Sequence, residues 1–186
     1  MRNKRKTSNH EQLDLFGATD KAKREFGAKA GVEELALPEV DEVEFNLGGS
    51  EANTMIRYQY RDGDNYKQFK DVILNGRLSR ADIRKMFDVV FDYKLFLASQ
   101  VGLEDLQLRF DNGWEIEADH PWHEIREISY VGDAPTADDY QNVTTVTEFI
   151  AKWPLTVDGW DNVGAEERLI EAMGLSKGSK KLMHTD

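Results

Sequence analysis

Two runs rich in strand-favouring residues, Thr54-Met55-Ile56-Arg57-Tyr58-Gln59-Tyr60 and Tyr66 to Leu74, stand either side of Arg61-Asp62-Gly63-Asp64-Asn65. β-Branched and aromatic side chains suit a pleated, half-buried surface, and a Gly/Asp/Asn cluster is the chemistry of a tight reversal. The two runs therefore predict an antiparallel hairpin that ends at Asn75-Gly76. An isolated hairpin is marginal in water. The rest of the chain must supply strands or helices that cover its apolar face.

Those elements are legible on both sides. Val43-Glu44-Phe45-Asn46-Leu47 alternates as a half-buried strand does, and it marks the start of the folded part. Ser79 is a good N-cap for a segment carrying Ile83, Met86, Phe87, Val90 and Phe91, whose spacing of three and four gives one apolar helical face. Tyr93 to Val101 is a short apolar element. After Gly102, Leu106, Leu108 and Phe110 alternate, and Asp111-Asn112-Gly113 turns the chain toward Trp114-Glu115-Ile116-Glu117. His123 to Val131 predicts another strand through Ile125, Ile128 and Tyr130. A helix over Val143 to Trp153 is ended by Pro154, and a last one over Ala165 to Met173 is stopped by Gly174. The expected fold class is α+β, a small mostly antiparallel sheet with two or three helices. Residues 43–175 form its single domain, 1–42 a flexible N-terminal arm and 176–186 a polar C-terminal tail. No internal repeat is visible.

Charge and composition narrow the function. A net charge of −11 over 186 residues opposes a broad grip on nucleic acid, which relies on Lys and Arg against phosphate. With no cysteine, the chain has no disulfide, zinc-thiolate site or thiol nucleophile. Arg2, Lys4, Arg5 and Lys6 are followed by Thr7-Ser8-Asn9-His10-Glu11, where a signal peptide needs an apolar stretch, and no segment approaches a membrane span. The expectation is a cytoplasmic protein.

Within the polar arm, Gln12-Leu13-Asp14-Leu15-Phe16 places three apolar side chains in five residues, followed by Gly17. This pentapeptide resembles the motif by which bacterial polymerases and repair proteins bind the replication sliding clamp, and it matches the pattern Gln-Leu-(Ser or Asp)-Leu-Phe at every position. The resemblance implies the bacterial DNA sliding clamp as partner. Leu15 and Phe16 would then fill the main apolar pocket, with Leu13 in a neighbouring one, Gln12 as the polar anchor and Asp14 at the rim. A conformationally free segment suits that docking mode. The other use of Leu13 and Phe16 is to pin the arm onto its own domain.

The folded part offers less chemistry. Asp119-His120-Pro121-Trp122-His123-Glu124 carries two His three apart beside carboxylates, yet Pro121 breaks the helix that would align them and no third ligand is set by spacing. It is expected to be the start of a strand with Trp in the core and His at the rim. Tyr58, Tyr60, Arg61, Asp62, Asn65, Tyr66 and Lys67 interleave aromatics with cations as base-stacking surfaces do, but the local charge is nearly balanced, which favours a hairpin with cross-strand aromatic pairs. These two segments together are similar to those of an uncharacterised family of small bacterial proteins, from which no activity carries over. There is no phosphate-cradling Gly-rich loop, nucleophile elbow or distinctive carboxylate pair. No catalytic residue, metal ligand or cofactor is assigned. The expectation is a non-enzymatic accessory protein on the clamp, in replication, repair or mobile-element maintenance. The alternative is an acidic phage- or plasmid-type inhibitor or decoy of a host nucleic-acid enzyme.

Overall fold

The computed structural model describes residues 36–92, 94–110, 114, 117–136 and 143–175. The elements run β1 (Glu44–Asn46), β2 (Asn53–Arg61), β3 (Lys67–Leu74), α1 (Arg80–Phe87), β4 (Leu95–Leu97), a 3-10 turn (Leu106–Arg109), β5 (Trp122–Val131), α2 (Val146–Ala151), a second 3-10 turn (Val157–Gly159) and α3 (Asn162–Ala172). The strands form one sheet in the order β1-β5-β2-β3. The far side of β5 is shared, with β4 pairing its first residues and β1 its later ones. Every pairing is antiparallel except β1 with β5. The fold is α+β, as expected.

The β2–β3 hairpin forms in unbroken register from Thr54↔Leu74 to Arg61↔Lys67. Asn65, at φ +70, makes the turn, and the Asp62 carboxylate accepts the Tyr66 N–H at 2.7 Å. Cross-strand aromatic pairs are not what holds it. Tyr58 faces Lys70 and Tyr60 faces Gln68, so Tyr58 takes its ring partners from β4 and β5, and Tyr60 takes its own from His120, Phe110 and β5. Tyr58 meets Phe96 and His123 at 5.9 and 5.8 Å, and Tyr60 meets His123 at 5.6 Å.

One face of the sheet carries Ile56, Tyr58, Tyr60, Val72, Leu74, Phe96, Ile125 and Ile128, all essentially without exposure. Ile83 and Met86 of α1, Phe149 of α2 and Ala165 of α3 belong to the same core. α1 starts where the sequence places it, since Ser79 and Asp82 cap each other's backbone in a reciprocal box. It ends sooner than the apolar spacing suggests. Asp88 caps the helix at Phe87, and the chain then reverses so that Phe91 and Leu95 exchange two 2.8 Å hydrogen bonds, with Asp92 at φ +44. Val89, in the turn that follows, and Val90 are buried beyond the helix.

Two further expectations are corrected. Leu106 to Phe110 is not a strand but mostly a 3-10 turn, in which Leu106 and Gln107 are buried while Leu108 is nearly half exposed. The helix expected from Val143 to Trp153 covers only Val146–Ala151, because Thr145 is its N-cap, boxed with Glu148, and Lys152 its C-cap. The last helix is longer, starting at Asn162 after the Asp161 cap, and Gly174 at φ +71 follows its end. Among the described residues no helix is long and apolar enough to cross a membrane.

Candidate functional site

Strand periodicity forces Trp122, His123 and Glu124 to alternate faces of β5, and the two faces have different chemistry. The structure corrects the expected place of the histidine, while Trp122 packs against the edge of the core. His123 is completely buried, whereas Trp122 is partly exposed and stacks on the half-exposed Phe91 at 5.1 Å.

His123 lies where β4, β2 and the Leu106–Arg109 turn meet. Its Nε2 accepts the Leu106 N–H at 2.9 Å, and its Nδ1 lies 3.2 Å from the Pro121 carbonyl. An acceptor at Nε2 and a carbonyl at Nδ1 together fix the neutral tautomer with the proton on Nδ1. Burial pushes its pKa down to about 3. His120 is also held below its ordinary value, chiefly by burial, and its Nδ1 accepts the Trp122 N–H at 3.2 Å. The Tyr60 hydroxyl donates to Asp119 at 2.7 Å and that of Tyr58 to the Glu104 carbonyl at 3.1 Å. Burial raises both phenol pKa values. Beside them, Arg109 and Lys70 hydrogen-bond Glu104 and hold its carboxyl down at about 2. His123 thus acts as a backbone clasp, tying the Leu106–Arg109 turn to the sheet. Among the described residues no three His, Asp or Glu side chains converge as metal ligands.

The opposite face is ionic. Directly across the sheet lie Phe91, Leu95, Glu124, Gln59 and Phe69, each facing the next. Glu124 is about 5% exposed. Its Oε1 accepts from Arg61 Nη2 at 2.6 Å and Nε at 3.0 Å, and its Oε2 accepts from Gln59 at 2.9 Å. Lys94 and Arg126 stand farther off, at 3.4 and 3.5 Å. Burial alone would raise the Glu124 pKa, but the hydrogen bond and charge of Arg61, with the charge of Lys94, outweigh it and hold the group ionised. Arg126 reaches this cluster through a bulge. Arg57 pairs with Glu127 and Tyr58 with Ile125, so Arg126 is the unpaired extra residue. One step along the sheet, Arg57 binds Asp71 through two 2.7 Å contacts and Glu127 at 3.0 Å.

The sequence did not announce this network. Glu42, Arg61, Lys94 and the pair Glu124 and Arg126 come from four separate segments, and an isolated charged residue ordinarily means solvated surface. The available signal was the alternation itself. If one of His123 and Glu124 faces the core, the other shares a face with Gln59 and Arg61. The pentapeptide Gln12, Leu13, Asp14, Leu15 and Phe16 lies outside the described residues, as do Glu115 and Ile116 of the Trp114 to Glu117 segment and the C-terminal tail.

Comparison of the chain with protein-family models, with curated proteins and with solved structures found no match.

Proposed function

We propose that this chain is a non-enzymatic, cytoplasmic accessory protein that docks on the bacterial DNA sliding clamp through Gln12, Leu13, Asp14, Leu15 and Phe16. The observation that carries this reading is the pentapeptide, which fits the clamp-binding pattern at every position within an otherwise polar arm. In this reading the folded part is the body that the arm carries. His123 and Tyr60, which the sequence singled out as chemically interesting, are engaged with Leu106 and Asp119. A short arm holding such a body on the clamp would raise its local concentration near replicating DNA and near other clamp-bound proteins. Replication, repair or maintenance of a mobile element are the settings in which that address is useful.

Calorimetric titration of purified clamp tests this directly. Burying a Leu or Phe side chain is worth roughly 1.5–3 kcal/mol, so Leu15→Ala/Phe16→Ala should weaken binding by about 100-fold or more. Equal affinity of the double variant and the parent refutes the proposal.

A second reading rests on the net charge of −11. An acidic domain of this size can occupy the basic surface of a host nucleic-acid enzyme, as a phage- or plasmid-type inhibitor does, with electrostatics setting its association rate. Such inhibition should fade as salt is raised and should persist in Leu15→Ala/Phe16→Ala. Inhibition lost with the pentapeptide would instead favour the clamp.

A further inference from the structure

Arg61 from β2, Lys94 from the reversal before β4 and Arg126 from the β5 bulge all reach Glu124, yet one carboxylate does not saturate them. Glu124 gives its short contacts to Arg61 and Gln59. The close partner of the other two cations is Glu42, whose Oε2 accepts from Lys94 at 2.6 Å and from Arg126 at 2.8 Å.

Glu42 is an unusual partner. Its side chain is 54% exposed, it sits in the turn ahead of β1, and its backbone is held at φ +65, which is unfavourable for a residue with a long side chain. Its carboxyl is nevertheless held down at about 2, chiefly by the hydrogen bonds from Lys94 and Arg126. A fork of two cations, brought together by the reversal before β4 and the β5 bulge, is therefore filled by a strained and accessible side chain. An incoming carboxylate would exchange for an outgoing one, leaving the charge around Lys94 and Arg126 unchanged. The released turn would be free to leave its unfavourable φ.

We infer that Lys94 and Arg126 form a receptor for a carboxylate side chain in an acidic segment of a partner protein, with Glu42 as the internal stand-in that this segment displaces. The neighbourhood suits a peptide. Lys94 lies in the reversal between Phe91 and Leu95, so the receptor adjoins the exposed Phe91 ring stacked on Trp122, a shelf for an apolar residue next to the partner's acid. The site is also local. At physiological salt the screening length is about 8 Å, so a short acidic peptide engages the fork with little repulsion from the rest of a −11 chain. Nucleic-acid binding relies on many cations tracking successive phosphates, whereas this fork offers two, already shown to hold a carboxylate, which makes a peptide the favoured occupant.

The inference does not depend on the clamp reading, and its test uses the full-length chain carrying Leu15→Ala/Phe16→Ala so that clamp docking plays no part. The probe is a fluorescein-labelled peptide of four glutamates around one phenylalanine, followed by anisotropy at about 0.15 M salt. Glu42→Gln, which removes the competing charge, should bind the probe about tenfold more tightly than the parent, the scale of a charge-assisted contact. Glu42→Gly, which also suits the positive φ, should do at least as well. Adding Lys94→Gln or Arg126→Gln should abolish the gain. The inference is overturned if both Glu42 variants melt like the parent and bind the probe no better. It is equally overturned if an oligothymidylate outcompetes the peptide on Glu42→Gln.

Discussion

The buried histidine makes a quantitative prediction about acid stability. In the unfolded chain His123 has its ordinary pKa of 6.5, whereas the folded protein holds it at about 3. Below pH 6.5 the unfolded state therefore binds a proton that the folded state refuses, and stability present above that pH is lost as pH falls toward 3. The loss is about 1.4 kcal/mol per pH unit, or roughly 2–3 kcal/mol by pH 4.5. The penalty arises chiefly from burial of the charged ring, and the geometry agrees, since Nε2 already accepts the Leu106 N–H. A proton there would turn an acceptor into a donor facing a donor. His120 adds to the slope over the same window, and the carboxylates that the fold holds low, Glu42, Glu104, Glu124 and Glu148, add theirs as pH approaches 4.5. Urea unfolding at a series of pH values should show this slope in the parent. His123→Gln places an amide oxygen where Nε2 accepts and carries no titrating proton. That variant should start about 1 kcal/mol less stable at neutral pH and lose stability with a slope shallower by one proton, the remainder coming from His120, whose pKa is also depressed, and near pH 4.5 from the lowered carboxylates. Parallel slopes for parent and variant between pH 6.5 and about 4.5 would refute the assignment of His123 as a neutral clasp.

Two further outcomes follow from the polar contacts of the sheet. Thr54 is buried, and its hydroxyl donates to the Gly76 carbonyl and accepts the Leu78 N–H, both at 2.9 Å. Thr54→Val leaves both groups unmet at nearly constant volume and should cost about 2 kcal/mol in urea unfolding. Glu124→Gln removes the charge shared by Arg61, Lys94 and Arg126. It should cost about 2 kcal/mol by the same measurement, less than the roughly 3–5 kcal/mol of a fully buried pair because Arg61 is more than a third exposed.

How far the sequence reached depended on whether a feature was local. The hairpin was legible because its turn chemistry and both strands lie within 21 consecutive positions, and the start of α1 because Ser79 and Asp82 cap each other three residues apart. The end of α1 was not. Val90 and Phe91 keep helical spacing, while the reversal at Asp92 depends on β4 finding β5. Likewise, alternation put His123 and Trp122 on opposite faces but could not say which face was inside. That was decided by an N–H donor at Leu106, 17 residues upstream, which only an acceptor could meet. The ionic face escaped for the same reason, since Glu42 and Arg126 are 84 residues apart in the chain. The pentapeptide is the opposite case, a feature legible only as sequence.

The position of β5 has a consequence for how the molecule comes into being. The strand that joins β1, β2 and β4 into one sheet is the last of the five to leave the ribosome. Until residues 122–131 emerge, the β2–β3 hairpin has no partner on its β2 side, and β1 and β4 have nothing to pair with. Most of the sheet's contacts span long stretches of chain, so folding should be slow and should complete only after residues 122–131 have emerged. A nascent chain halted before Trp122 would expose the unpaired edge of β2, the form in which this protein is most prone to associate with other chains.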